Sequence, residues 1–140
     1  MQFERKAMID NGNGTVTDEA TGLMWQQKSP PPLNWEDSIK YCSKMTLVGY
    51  TDWRMPTIQE LKSIVDYNRF NPAINTTYFP NTALSFYWSS TVGANYTFVA
   101  WGVFFDYGFV YYDNKIYNYF VRAVRTIYGA RHKKEQLTMF

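Results

Sequence analysis

At 140 residues and a formal net charge of +2, the chain suits one domain with a real hydrophobic core. Arg131, Lys133, Lys134 and Glu135 are the charges of the last fifteen positions, so residues 1–125 hold eleven of the fourteen basic and eleven of the twelve acidic side chains. A neutral body argues against an extended nucleic-acid surface, a lone Cys42 against a disulfide or a cysteine-rich metal site, and the lack of a long apolar run against membrane insertion.

Met1 to Lys6 do not lead into a signal-peptide core. That implies either a protein kept inside its cell or a leader or larger chain beyond this sequence. Phe3 to Ile9 predicts a first strand, and Asn11-Gly12-Asn13-Gly14 a hairpin turn with Thr15 to Asp18 returning. The turn is rich in Asp, Asn and Gly, but its spacing is not that of a calcium loop: Gly12 and Gly14 stand at the third and fifth positions counted from Asp10. Leu23-Met24-Trp25 then enters the core, with Trp25 a structural residue.

Pro30-Pro31-Pro32 is a stiff spacer. Asn34 caps a predicted helix on which Trp35, Ile39 and Cys42 share a face, so Cys42 packs inside rather than acting as a nucleophile. Next comes the hub of the chain, Gly49-Tyr50-Thr51-Asp52-Trp53-Arg54-Met55-Pro56-Thr57. Gly49 supplies turn freedom, Met55 before Pro56 is pushed towards extended geometry, and Thr57 with Glu60 forms a capping box. A second helix carrying Ile58, Leu61, Ile64 and Val65 is expected to end near Asp66, followed by an irregular stretch over 67–85.

The character changes at Phe86: residues 86–120 hold fifteen aromatics but only three charges, Asp106, Asp113 and Lys115. Strands are predicted near 86–91, 96–105, 109–112 and 117–125, with turns between. Hairpin, two helices and then an antiparallel sheet make an α+β domain over 1–128, followed by a basic tail at 129–140.

The chemistry reads as binding without catalysis. The one histidine, His132, lies in the tail, and no phosphate loop or metal-binding helix motif is present, so no cofactor or metal is expected. Fifteen aromatics exceed what one small sheet hides, since a strand alternates its faces. Tyr111 and Tyr112, being adjacent, are expected to point opposite ways. Tyr96, Tyr107, Tyr111, Tyr112, Asp113, Asn114 and Lys115 are the candidate ligand surface, because tyrosine pairs a flat apolar face with a hydroxyl. Arg122 and Arg125, three apart, are also expected on opposite faces, one of them in a structural ion pair with Asp52 or Glu60. Trp53, Arg54, Thr57 and Trp88 complete the structural set.

Several of these tracts together carry a resemblance: Asp10 to Asp18, Thr21-Gly22-Leu23-Met24-Trp25, Gly49 to Thr57, Tyr87-Trp88-Ser89-Ser90-Thr91 and Val121-Arg122-Ala123-Val124-Arg125. In this order they resemble the C-terminal domain family of Legionella collagen-like protein, a bacterial domain long of unknown function. The resemblance implies a C-type-lectin-like fold with adjacent termini and the first strand beside the last. It also implies an extracellular or cell-surface place, a homotrimer, and adhesion through glycans, including sulfated ones. Lectin-style calcium is not expected, because the ligand cage and the Trp-Asn-Asp strand are missing. An alternative is a protein-binding display or receptor-binding domain like the retroelement-diversified and phage tropism determinants, which the Tyr, Asn, Asp and Phe bias of 95–119 suits. A third, distant alternative is an enzyme related to formylglycine-generating enzymes, whose cysteine pair this chain lacks.

Overall fold

The computed structural model describes residues 8–127; the basic tail expected at 129–140 and most of the strand expected over 3–9 lie outside them. Seven strands fall into two antiparallel sheets. The first sheet orders β1 (Met8–Asp10), β2 (Thr15–Asp18), β3 (Leu23–Gln26) and β7 (Val124–Thr126) as β1-β2-β3-β7. The second orders β4 (Phe86–Val92), β5 (Val99–Phe104) and β6 (Phe109–Asn114) in sequence. Between the sheets in sequence lie α1 (Trp35–Ser43) and α2 (Ile58–Lys62). This is an α+β architecture, mostly sheet, and among the described residues no helix is long and apolar enough to cross a membrane.

The β1–β2 hairpin uses its polar residues on itself. Gly12 and Gly14 take positive φ of 73° and 92°, which glycine adopts without a Cβ penalty. Asp10 Oδ1 accepts from the Gly12 amide at 3.0 Å, and Asn13 Oδ1 accepts from the Thr15 hydroxyl at 2.6 Å. These oxygens close the turn.

Strand alternation divides the interior in two. Leu23, Trp25, Tyr87, Val103 and Val124 point into one apolar cluster, which α2 covers through Leu61. Met24, Phe86, Trp88, Ala100 and Ala123 point into the other, which α1 covers through Cys42. Successive residues of β3 and β4 thus serve opposite clusters, and all four residues of β3 are buried. Gly102 of β5 has no room for a side chain, because a Cβ there would strike the Phe86 ring and the Tyr87 carbonyl.

Three expectations are corrected. The first strand does not lie beside the last: β7 pairs with β3, matching Trp25 to Val124, while β1 pairs with β2 at the far edge. Trp25, buried on the β3 face shared with Val124, makes the better partner; β1 is short and mostly exposed, which suits an edge. The single sheet becomes two, because the strand expected over 117–125 splits. Tyr119 and Phe120 bridge Leu33 and Tyr87, and only Val124–Thr126 pairs as a strand. The second helix stops at Lys62 rather than near Asp66. There the Ser63 hydroxyl donates to the Glu60 carbonyl at 2.6 Å, and the next amides close tighter turns onto Leu61 and Lys62.

The hub tract lies where expected. Trp53 is buried and its indole donates to the Leu47 carbonyl at 3.1 Å. Thr57 caps α2 with both arms of the capping box formed, and Arg54 bridges Val124, tying the hub to β7. Reversible chemical denaturation should therefore show a loss of about 1 kcal/mol for Thr57→Ala and about 3–5 kcal/mol for Trp53→Ala. Near-zero losses for both would remove the hub's structural role.

Candidate ligand-binding site

β6 is the outer strand of the second sheet. The opposite edge of that sheet is occupied, since β4 bridges Phe120. The β5–β6 turn is braced: the Asn71 amide donates to the Asp106 carbonyl at 2.7 Å and the Ala73 amide to the Phe105 carbonyl at 2.8 Å. Gly108, with φ of 88°, sits so close to Val65 that a Cβ would collide with it. The turn and the 69–73 loop thus form one support, and β6 projects from it as a held edge.

Along that edge the aromatics are open to solvent. Tyr111 is 51% exposed and Tyr112 45%. Their Cβ atoms leave opposite faces, as the alternation predicts, yet the rings stack at 5.0 Å between centroids and 17° between planes. Since β5 occupies the inner side, the two rings meet around the free edge. Trp101, which pairs with Tyr112 across the sheet, presents an edge-on contact at 5.1 Å, and Phe104 lies 6.2 Å from Tyr111. The outcome is a buttressed aromatic ridge instead of two tyrosines on separate faces.

The other candidates fall on either side of the ridge. Tyr107 stacks on Phe70 at 5.7 Å and 7°, and on Phe109 at 6.0 Å and 27°. At the opposite end, Tyr96, Trp101 and Tyr112 line a concavity of about 270 Å³ with Asn95 and the Gly93 turn. A neighbouring concavity of about 380 Å³ is lined by Asn34, Trp35, Phe98, Asn114 and Lys115. Lys115 Nζ lies 4.1 Å from the centre of the Trp35 ring, whose indole is fixed by donating to the Ser89 carbonyl at 2.9 Å. Asn114 accepts from the Ile116 amide through Oδ1, which leaves its NH₂ group for a ligand.

Asp113 is committed differently. Its Oδ1 accepts from the Asn114 amide at 2.7 Å and its Oδ2 from the Tyr119 hydroxyl at 2.5 Å. Burial first, and then this bond to a carboxylate, push the Tyr119 hydroxyl up to about 12. Tyr119 therefore remains a donor at any ordinary pH, and Asp113 anchors the end of β6. Phe70, Trp101, Phe98 and Trp35 join the surface without having been singled out. Trp101 alone carried a signal, as a bulky aromatic set among the small residues Val99, Ala100, Gly102 and Val103 of β5.

The arginines sort away from this surface. Arg125 binds Asp52 through Nε at 2.6 Å and Nη2 at 3.1 Å, with Tyr50 stacked 3.7 Å beneath its guanidinium. Arg54 holds Glu60 by two bonds of 2.7 and 2.8 Å. Arg122 is buried, and its bonds go to the carbonyls of Gln26 and Gln27 and to the Thr82 hydroxyl. Both motif arginines are structural, and the ion pair with Asp52 belongs to Arg125. Among the described residues no group of three or more His, Cys, Asp or Glu is placed to hold a metal ion.

A family model for the Lcl C-terminal domain matches residues 14–125. The chain belongs to the Lcl C-terminal domain family. The matched span contains both sheets' pairing core, the hub and the whole β6 ridge, so the candidate surface is part of the Lcl domain itself. No curated protein matches the chain.

The hub carboxylates set an acid limit. The hydrogen bond from Arg125 holds Asp52 below its ordinary value; burial raises Glu60, but its bonds to Arg54 and the cap outweigh this and leave it lowered. A carboxyl depressed in the folded state stabilises above its unfolded pKa, and the stabilisation is lost as pH falls through the folded value. Denaturation midpoints taken from about pH 6 down to about pH 3 should therefore fall, and fall less steeply in Glu60→Gln. Parallel curves would leave the Arg54–Glu60 pair without energetic weight.

Proposed function

We propose that this domain is a non-catalytic ligand-binding module of the adhesion type that recognises glycans at a cell surface. The observation that carries the reading is the stacked Tyr111–Tyr112 pair, solvent-facing and buttressed by Trp101, beside a concavity that offers carboxamide and hydroxyl groups. Flat tyrosine faces stack on the apolar faces of sugar rings, while their hydroxyls and neighbouring amides give directional hydrogen bonds at little entropic cost. A rigid sheet braced at its turn keeps these groups in place before the ligand arrives.

The reading assigns no chemistry to the site. Cys42 is buried, and burial pushes its thiol up to about 12, far from the thiolate a cysteine nucleophile uses. On the same reading the fold is C-type-lectin-like. Support comes from the pairing of the strand before α1 with the final strand, which closes the chain on itself around the helices and the second sheet. An extracellular or cell-surface setting goes with the adhesion reading.

A protein-binding display domain is the second reading, favoured by Phe98 and Ile116. Both are exposed and neither carries a hydrogen-bonding side chain. A glycan array beside a panel of surface proteins separates the two. Under the glycan reading, Tyr96→Ala with Tyr112→Ala weakens sugar capture about tenfold, the effect of roughly 1.4 kcal/mol of lost stacking, with the melting temperature nearly unchanged. Normal capture by the double variant, or loss only through unfolding, would place the site elsewhere.

A further inference from the structure

The exposed aromatics form more than a single patch. They run the length of the β6 edge, which for six residues spans about 20 Å. Phe70, Tyr107 and Phe109 stack at the turn end, Tyr111 and Tyr112 wrap the middle, and the Tyr96 concavity lies at the other end. Positions 107–112 carry no charged residue, and a carboxylate flanks each end: Asp106, which accepts from the Tyr107 amide at 2.7 Å, and Asp113, which accepts from the Tyr119 hydroxyl, with Lys115 beyond it over the Trp35 ring. The rings that end the run, Phe70 and Tyr96, are both exposed.

We propose that the outer edge of β6 is a track for an internal stretch of a linear, uncharged polysaccharide, holding several consecutive sugar units on successive aromatic platforms. This rests on the glycan reading above and deepens it. Neutrality of the track matches an uncharged ligand, since a sulfated or carboxylated chain would lie on the rings of 107–112 with no cation among them and a carboxylate, Asp106 or Asp113, at either end. Length matters because each further platform adds contact without a further cost of bringing the partners together.

The experiment is calorimetric titration of the intact domain with β-1,4-linked glucose and N-acetylglucosamine oligomers from disaccharide to hexasaccharide, with heparin oligomers of matching length for comparison. Affinity is expected to climb about tenfold or more from the disaccharide to the hexasaccharide. Tyr107→Ala, at the far end, should weaken the hexasaccharide about fivefold and leave the disaccharide unchanged. Disaccharide binding as tight as hexasaccharide binding, still dependent on Tyr112, would overturn the track and leave the glycan reading standing. Heparin binding more tightly than the neutral oligomers, with a dependence on Tyr111 and Tyr112, would overturn the neutrality of the ligand. No binding of any oligomer would overturn the track together with the glycan reading beneath it.

Discussion

The structure depends on a buried cation. Arg122 is 1% exposed, and among the described residues no carboxylate is within reach of it. Its charge is spread over two carbonyls at the end of β3, the Thr82 hydroxyl, and the faces of Phe79 and Tyr87 at 4.7 and 5.6 Å. Burial alone lowers its pKa, but guanidinium keeps its proton so strongly that it stays charged. These partners come from the first sheet, the long irregular stretch and the second sheet. One side chain therefore fastens three parts of the chain that share little backbone pairing. Removing it would leave the buried acceptors without a donor, which costs more than the bonds themselves contribute.

The packing of the other strands leaves β6 as the open side among the described residues. β3 and the first four residues of β4 are buried on both faces, and the edge of β4 is bridged by Phe120. With α1 and α2 covering opposite faces, the second sheet has one uncovered border among the described residues. An exposed strand edge is a hazard, because its free backbone groups invite pairing with another chain. Here Tyr111 and Tyr112 fold their rings around it, so the residues that guard the edge are also those on which the proposed site is built.

Local signals in the sequence were sufficient for the hub and the hairpin. Thr57 with Glu60, Gly49, and the Asn-Gly turn each dictate their own geometry within a few residues, and each is where the pattern placed it. Pairings over long separations were less legible. Whether β7 joins β1 or β3 turns on which partner buries Val124, and only the assembled core settles that in favour of Trp25. Arg122 and Arg125 looked equivalent at three residues apart, but one meets Asp52 while the other meets carbonyls from strands almost a hundred residues away. The aromatic excess of 86–120 announced a surface. Its shape did not follow from alternation, because alternation sends Tyr111 and Tyr112 apart and only a free edge lets their rings meet again.

Membership in the Lcl C-terminal domain family fixes where this chain belongs, and the open edge suggests how it works. On the proposed reading, ligand is held along β6 and by nothing on the first sheet. Backbone amide NMR on the isotopically labelled domain, titrated with a neutral glucan hexasaccharide, tests that claim most directly. Shifts are expected over residues 96–116 and around Phe70, with the amides of β1, β2 and the hub silent. Shifts gathered on the β1–β2 hairpin or around Arg125 and Tyr50, with β6 unmoved, would contradict it.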